Sequence, residues 1–236
     1  YAEGRFWVQD VSAALPAKLL LNAVAETDGI LLDMCAAPGG KTMQLAAAAR
    51  GKVVAIDRSK ARCKRLKENL GRVGGGEVDI VVGDAVEWQP GGGEGGERIK
   101  GVLVDAPCSA SGIARRHPDL LQSEDREGLG ETQVRLLERA IQLLRDGGGG
   151  VLVYCVCSMF KKEGEDVVRD VLEGQGQGVE VMRVGKEEVQ KLGFQGEVVD
   201  EQGMVRVLPG VQGWAGEGGY SGDGFFAARL KVEAGN

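Results

Sequence analysis

Two short cysteine motifs carry the most reactive side chains of this sequence: Asp105-Ala106-Pro107-Cys108-Ser109 and Tyr154-Cys155-Val156-Cys157-Ser158. Upstream of both lies the turn Leu31-Leu32-Asp33-Met34-Cys35-Ala36-Ala37-Pro38-Gly39-Gly40-Lys41-Thr42. A strand that runs into Gly-Gly and then an Ala-rich helix offers unpaired N–H groups and a partial positive charge to a small polar ligand. Thiols placed after later strands of the same sheet would stand over that ligand. The combination points to nucleophilic, covalent chemistry beside a bound cofactor.

The elements that must position these groups are legible as apolar runs alternating with helical periodicity. Strands are predicted near 30–34, 52–57, 78–82, 100–105 and 150–156, and helices at 9–24, 40–50, 59–71, 130–145 and 163–173. Later strands near 179–184, 204–208 and 224–231 complete the sheet. The pattern predicts an α/β protein with a doubly wound, mostly parallel sheet and helices on both faces. In such sheets ligands bind at the carboxyl ends of the strands, where all three motifs fall. An N-terminal helical extension over 1–25 is expected to pack on a single catalytic domain over 26–236. Glycine-rich segments at 91–96, 147–150, 173–178 and 210–224 read as surface connections.

Carboxylates recur at the strand ends. Asp33 sits in the first, Asp57 ends the second, Asp84 follows the third and Asp105 ends the fourth. An acid at the second strand suits a ribose diol, and one after the third suits an adenine amino group. This is the arrangement of an S-adenosylmethionine site. The G-x-G-x-x-G of a dinucleotide site is absent.

With 236 residues, 43% hydrophobic and 27% charged, the chain has the composition of an ordinary globular domain. Tyr1 is not an initiator Met, so the chain reads as a trimmed piece of something longer. Nothing approaches a membrane span or a signal peptide. Five cysteines in no scaffold or zinc spacing suggest a reducing compartment, cytoplasm or organellar matrix or stroma, and no metal. A net charge of −6 means that nucleic-acid binding must rest on a local basic surface.

Two thiols beside a sulfonium suit methylation of cytosine. C5 of cytosine is a poor nucleophile until a thiolate adds to C6 and converts the ring into an enamine. The adduct must then lose the C5 proton and eliminate the enzyme sulfur, which gives a second group work to do.

The turn CAAPGGKT, the motif DAPCS-x-SG, the strand ending in Cys157-Ser158 and the terminal Asp223-Gly224-Phe225-Phe226 together resemble the RNA cytosine-5 methyltransferases of the Nop/Sun/RsmB family. The resemblance runs from Gly4-Arg5-Phe6-Trp7-Val8-Gln9-Asp10 to Leu230. Ile113-Ala114-Arg115-Arg116-His117-Pro118-Asp119 is similar to the bacterial-type small-subunit rRNA methyltransferase B branch. The resemblance implies a class I S-adenosylmethionine-dependent methyltransferase fold acting as a monomer on RNA, rRNA before tRNA. It makes Cys157 the attacking thiol, Cys108 the thiol of product release and Asp105 a partner of the cytosine edge. S-adenosyl-L-methionine would be held by Cys35, Ala36, Ala37, Pro38, Gly39, Gly40 and Lys41, with Asp57, Arg62, Asp84 and Asp105.

The chain departs from the family pattern in places. Val156 replaces a Thr, Phe160-Lys161-Lys162 replaces Asn-Pro-Glu, and the separate RNA-binding domain usual upstream does not precede these motifs. Cys155 adds a thiol two residues before Cys157, on the same strand face, and competes with it as nucleophile; Ser158 favours Cys157. Cys35 and Cys63 read as small packing residues, and Cys155 as core. Arg115, Arg116 and His117 form the RNA-contacting candidate. The helix after Asp57, rich in Lys and Arg, is either a second one or a solvated face. Trp7, Trp88 and Trp214 could stack on bases or simply pack. The rival reading is a non-catalytic RNA-binding ribosome-assembly factor that keeps the cofactor fold.

Overall fold

The computed structural model describes residues 1–24, 29–91, 98–122, 127–175, 177–194, 197–209 and 222–235. Trp214 and most of the glycine-rich segments at 91–96 and 210–224 lie outside the described residues.

Five strands form a parallel block: β1 (Ile30–Met34), β2 (Val53–Asp57), β3 (Val78–Val82), β4 (Ile99–Asp105) and β5 (Gly150–Val156). Three more, β6 (Val179–Val181), β7 (Val205–Val207) and β8 (Phe225–Val232), complete the sheet. The order is β3-β2-β1-β4-β5-β8-β6, and β7 also pairs with β8. β8 runs antiparallel to β5, β6 and β7. The direction of winding reverses between β1 and β4, so their carboxyl ends splay apart and leave a crevice.

The helices are α1 (Val11–Val24), α2 (Gly40–Ala48), α3 (Lys60–Val73), α4 (Leu129–Asp146), α5 (Glu165–Gln175) and α6 (Lys186–Lys191). Period-two alternation in buried strands divides the core. Leu32, Met34, Val54, Ile56, Val102, Val104, Leu152 and Tyr154 face one side, where Leu137, Ala140, Ile141 and Leu144 of α4 and Val168 of α5 cover them. Leu31, Val53, Leu103, Val153 and Cys155 face the other, against Leu15, Leu19 and Leu20 of α1. Truncating a fully buried leucine such as Leu20 to Ala would cost about 2–5 kcal/mol.

The strands and helices fall where the apolar runs predict them, with ends displaced by up to three residues. The helix predicted over 9–24 begins at Val11, because the Asp10 side chain caps the Ser12 N–H at 2.9 Å. The helix predicted over 163–173 begins at Glu165, after a short 3-10 turn over Lys161–Glu163. The strand predicted over 179–184 stops at Val181, although the Met182 N–H still bonds to the Arg229 carbonyl at 2.8 Å. α6 was not foreseen. It is a six-residue helix with only Val189 buried, too brief to show a periodicity.

Register explains why the motifs converge. Met34 pairs with Ile56 on one side and Val104 on the other, and Asp105 pairs with Cys155. The strands therefore end almost level, and the turns that follow β1, β2, β4 and β5 open onto one edge.

Candidate active site

The turn after β1 is built around Asp57. Its Oδ2 accepts the Ala37 N–H at 3.1 Å and its Oδ1 the Ser59 N–H at 2.9 Å, so one carboxylate joins the loops after β1 and β2. Arg62 secures the same loop through the Ala37 carbonyl and lies 3.5 Å from Asp57, while Asn69 donates to the Pro38 carbonyl at 3.0 Å. Gly39 has φ 106°, and a Cβ there would lie 2.4 Å from Leu66 Cδ1, so no other residue fits the chain as α3 packs it. Ala36, Ala37 and Gly39 are buried, Gly40 is half-buried and Pro38 is exposed.

Beneath the turn, Thr42 donates to Asp33 Oδ2 at 2.6 Å, and Asp33 Oδ1 has no partner. Full burial pushes the Asp33 carboxyl up to about 7. Lys41 reaches back to Asp105 Oδ2 at 2.7 Å and sits 5.3 Å from the centre of the Phe225 ring. Burial would lower the ammonium pKa, but Asp105 reverses this and raises it, so Lys41 is a fixed cation. Asp105 Oδ1 accepts the Cys155 thiol at 3.5 Å.

A cavity of about 300 Å³ opens over these strand ends. Cys35, Asp57, Arg62, Asp84, Asp105, Cys108 and Cys157 line it, so residues up to 122 positions apart in sequence meet there (157 − 35). Ala36, Ala37, Pro38, Gly39, Gly40 and Lys41 are not part of this lining, although Ala37 and Lys41 bond to Asp57 and Asp105, which are. Thr132, Arg135 and Leu136 of α4 also contribute to the wall, which no motif signalled.

At the far wall, Cys108 Sγ and Cys157 Sγ lie 3.6 Å apart. A hydrogen bond from Cys108 lowers the Cys157 pKa against the effect of its burial, and the same contact raises that of Cys108. Their contact thus favours Cys157 as the more acidic of the two. Cys155 is fully buried in the α1 face of the core, and burial pushes its thiol well above the usual range. Cys35, in left-handed backbone at φ 65°, is pushed up to about 12 by burial. Cys63 is buried under α3. Only Cys108 and Cys157 combine a cavity position with a mutual proton.

Behind the two thiols lies a group that the motifs did not reveal. Glu163 is buried and accepts the Ser109 N–H at 2.8 Å, the Ser109 hydroxyl at 2.6 Å and the Ser158 hydroxyl. Phe160-Lys161-Lys162 therefore leaves a well-formed turn, with both lysines exposed and Glu163 drawn inward. The Tyr154 hydroxyl fixes the turn by donating to the Glu163 carbonyl at 2.6 Å.

The residues after Cys108 are tied to β8. Gly112 donates to the Cys157 carbonyl at 3.0 Å and accepts from the Gly224 N–H at 2.8 Å. A Cβ on Gly112 would fall 2.0 Å from the Gly224 carbonyl oxygen, a contact only glycine tolerates. Arg116 forms a two-pronged pair with buried Asp223, and Arg115 lies 3.6 Å from the same carboxylate. Both arginines keep a half-exposed outer edge, and His117 is exposed. The sequence reading takes Arg115 and Arg116 as RNA contacts; their pairing with Asp223 makes them part of the fold as well.

Trp7 donates to Gln9 at 2.9 Å and packs beside Ala36 and Leu66, Trp88 packs against the α4 side of the core, and both rings stay half-buried. Among the described residues no helix is long and apolar enough to cross a membrane.

The sequence profile described as 16S rRNA methyltransferase RsmB/F matches residues 19–231. Ribosomal RNA small subunit methyltransferase B of Vibrio cholerae is 40% identical over 183 residues, covering 73% of this chain and 39% of that protein. Ribosomal RNA small subunit methyltransferase F of Serratia proteamaculans is 32% identical over 238 residues, covering 98% and 46%. The crystal structure of NSun6 from Pyrococcus horikoshii with SFG matches with a TM-score of 0.70 at 28% identity, covering 98% of this chain and 54% of that one. The chain thus spans less than half the length of these two curated relatives. Its fold is that of the class I methyltransferases. With the profile spanning most of the sequence, the chain belongs to the 16S rRNA methyltransferase RsmB/F family.

Proposed function

We propose that this chain methylates C5 of a cytosine in small-subunit rRNA through a covalent bond between Cys157 and C6. The observation that carries the reading is the thiol pair 3.6 Å apart on the wall of a carboxylate-lined cavity at the sheet's switch point. The resemblance of the two curated relatives, both named for rRNA methylation, supports the substrate class.

The cavity fits S-adenosylmethionine. Asp57 spends one lone pair of each oxygen on backbone N–H groups, which leaves others for a ribose diol. Asp84 lies beside it in the lining, and the carboxylates Asp57, Asp84 and Asp105 suit a cationic sulfonium. The turn from Cys35 to Lys41 and Arg62 would frame the same ligand. When bound, that cofactor supplies the methyl group that C5 takes.

The chain's own residues do the rest. Cys157, already sharing the Cys108 proton, adds its sulfur to C6 and drives electron density to C5. Asp105, held by Lys41, stands at the cavity edge to accept from the exocyclic amino group of cytosine, which uracil lacks. Cys108 adjoins the new carbon–sulfur bond: it gives its proton to the departing Cys157 sulfur and takes the C5 proton in exchange, so elimination restores the C5–C6 double bond and a free thiol. The base reaches the thiols only after leaving its stack, and Arg115, Arg116 and His117 are placed to receive the flanking phosphates.

The test is transfer of labelled methyl from S-adenosylmethionine to unmodified small-subunit rRNA, total tRNA and DNA, with a Cys157→Ala variant alongside. Label appearing in rRNA and lost in the variant is the expected result. Label in tRNA alone would overturn the substrate, and no label with cofactor bound would favour a non-catalytic RNA-binding factor.

A further inference from the structure

Glu163 lies outside the cavity lining, and nothing in the proposed reaction uses it. Yet it is a buried carboxylate bonded to both residues that follow the two thiols: Ser109 after Cys108 and Ser158 after Cys157. The serines extend the arrangement. Ser109 and Ser158 hydroxyls lie 3.3 Å apart, Ser111 and Ser158 3.2 Å apart, and Ser111 accepts the Met159 N–H at 3.0 Å. Two irregular turns from neighbouring strands are joined through one acceptor.

We propose that Glu163 is a positioning residue that holds Cys108 and Cys157 at reacting distance, so that the Cys108 thiol keeps its contact with the Cys157 sulfur. The assignment rests on the reading of Cys157 as the nucleophile. A buried carboxylate is costly unless donors surround it, and here three donors converge from the two thiol turns alone. Pulling either turn away would strip a charge-assisted bond from Glu163, so the carboxylate resists separation of the sulfurs.

The same geometry supports the Cys157 sulfur. Cys108 lies 3.6 Å from it, so a thiolate there gains a donor only while the two turns stay together. Lys41 offsets part of the charge of Asp105, which faces the same sulfur, and Glu163 stands behind both turns.

The experiment reads the thiols directly, independent of turnover. The rate of alkylation of each cysteine by iodoacetamide is followed across pH by peptide mass spectrometry, for the native chain and for Glu163→Gln, Glu163→Asp and Ser158→Ala. Cys157 of the native chain should react before Cys108, with a midpoint below that of a free thiol. Glu163→Gln should raise that midpoint and cut the preference for Cys157 about tenfold, the effect of losing one charge-assisted bond. Glu163→Asp, which keeps the charge, should restore part of the preference. Ser158→Ala should move in the same direction by less, and it serves if Glu163→Gln fails to fold.

Methyl transfer is measured in parallel. A fall in kcat for Glu163→Gln with KM for RNA unchanged supports the assignment. A Glu163→Gln chain with native selectivity and pH midpoint overturns it, even if the native chain methylates RNA. Selectivity that depends on Glu163 in a chain that methylates nothing would leave this assignment standing and overturn the proposed function instead.

Discussion

The turn after β1 and the paired turns after β4 and β5 face one cavity but are secured differently. The first is closed by a strand-end carboxylate binding backbone N–H groups, with Asp57 on Ala37 and Ser59, and by a glycine with no room for a Cβ. The second is closed by side chains meeting across sequence, with Glu163 on Ser109 and Ser158, and by β8 through Gly224 and Gly112. A backbone cradle suits a cofactor that binds and leaves many times in one shape. A side-chain clamp suits two atoms whose separation and protonation must both be set. Disturbing the first should therefore change affinity, and disturbing the second should change chemistry.

The largest effect expected is at the nucleophile. Cys157→Ala should lower methyl transfer by roughly 10³-fold or more while S-adenosylmethionine still binds, as calorimetry and label transfer would show together. Retained transfer would remove Cys157 from the step, and lost cofactor binding would blur the division between the two regions. Next is the thiol of release. Cys108→Ala should accumulate a protein–RNA adduct that survives denaturation, seen as a retarded band on a denaturing gel; its absence would take Cys108 out of elimination.

At the cofactor end the expected change is in affinity. Asp57→Ala should weaken S-adenosylmethionine binding by about 1–3 kcal/mol, through hydroxyls left without an acceptor and a loosened turn. A kcat change without a Kd change would contradict the comparison.

The smallest effect concerns pH. Asp33 is raised in the folded protein from 3.8 to about 7, so the native state holds a proton there that the unfolded state releases. Stability from this group is present at low pH and is lost as pH rises from about 4 to about 7. Asp33→Asn should flatten the fall in Tm across that range, by a few degrees for a chain of this size. An equal slope in both proteins would show that Asp33 is ionised throughout.

The cradle was legible in the sequence because its parts are contiguous or recur at strand ends. Asp57 and Asp84 announce themselves as acids after apolar runs, and Gly39-Gly40 as a turn before a helix. The clamp was not. Glu163 sits in a charged stretch, Lys161-Lys162-Glu163-Gly164-Glu165, whose polarity reads as solvent exposure. Only the 3-10 turn and the Tyr154 hydroxyl bring that one carboxylate inward. Thr132 and Arg135 escaped notice for a related reason, since a helix covering a sheet shows its periodicity but not which residue reaches the strand ends. The competition between Cys155 and Cys157 was likewise open to sequence, because both lie on one face. Depth separates them: Cys155 is inside the sheet and Cys157 just beyond its end.

The place of β8 has a consequence for how the protein folds. It enters the sheet between β5 and β6, pairing Val156 with Phe226 across 70 positions (226 − 156). Gly224, just before it, grips the turn that carries Cys108. The residues of the cradle, from Cys35 to Asp105, all precede this segment in the chain. The thiol turns are thus tied by a strand that lies 120 residues beyond the end of the cradle (225 − 105), through pairings of long sequence separation, the kind that form slowly.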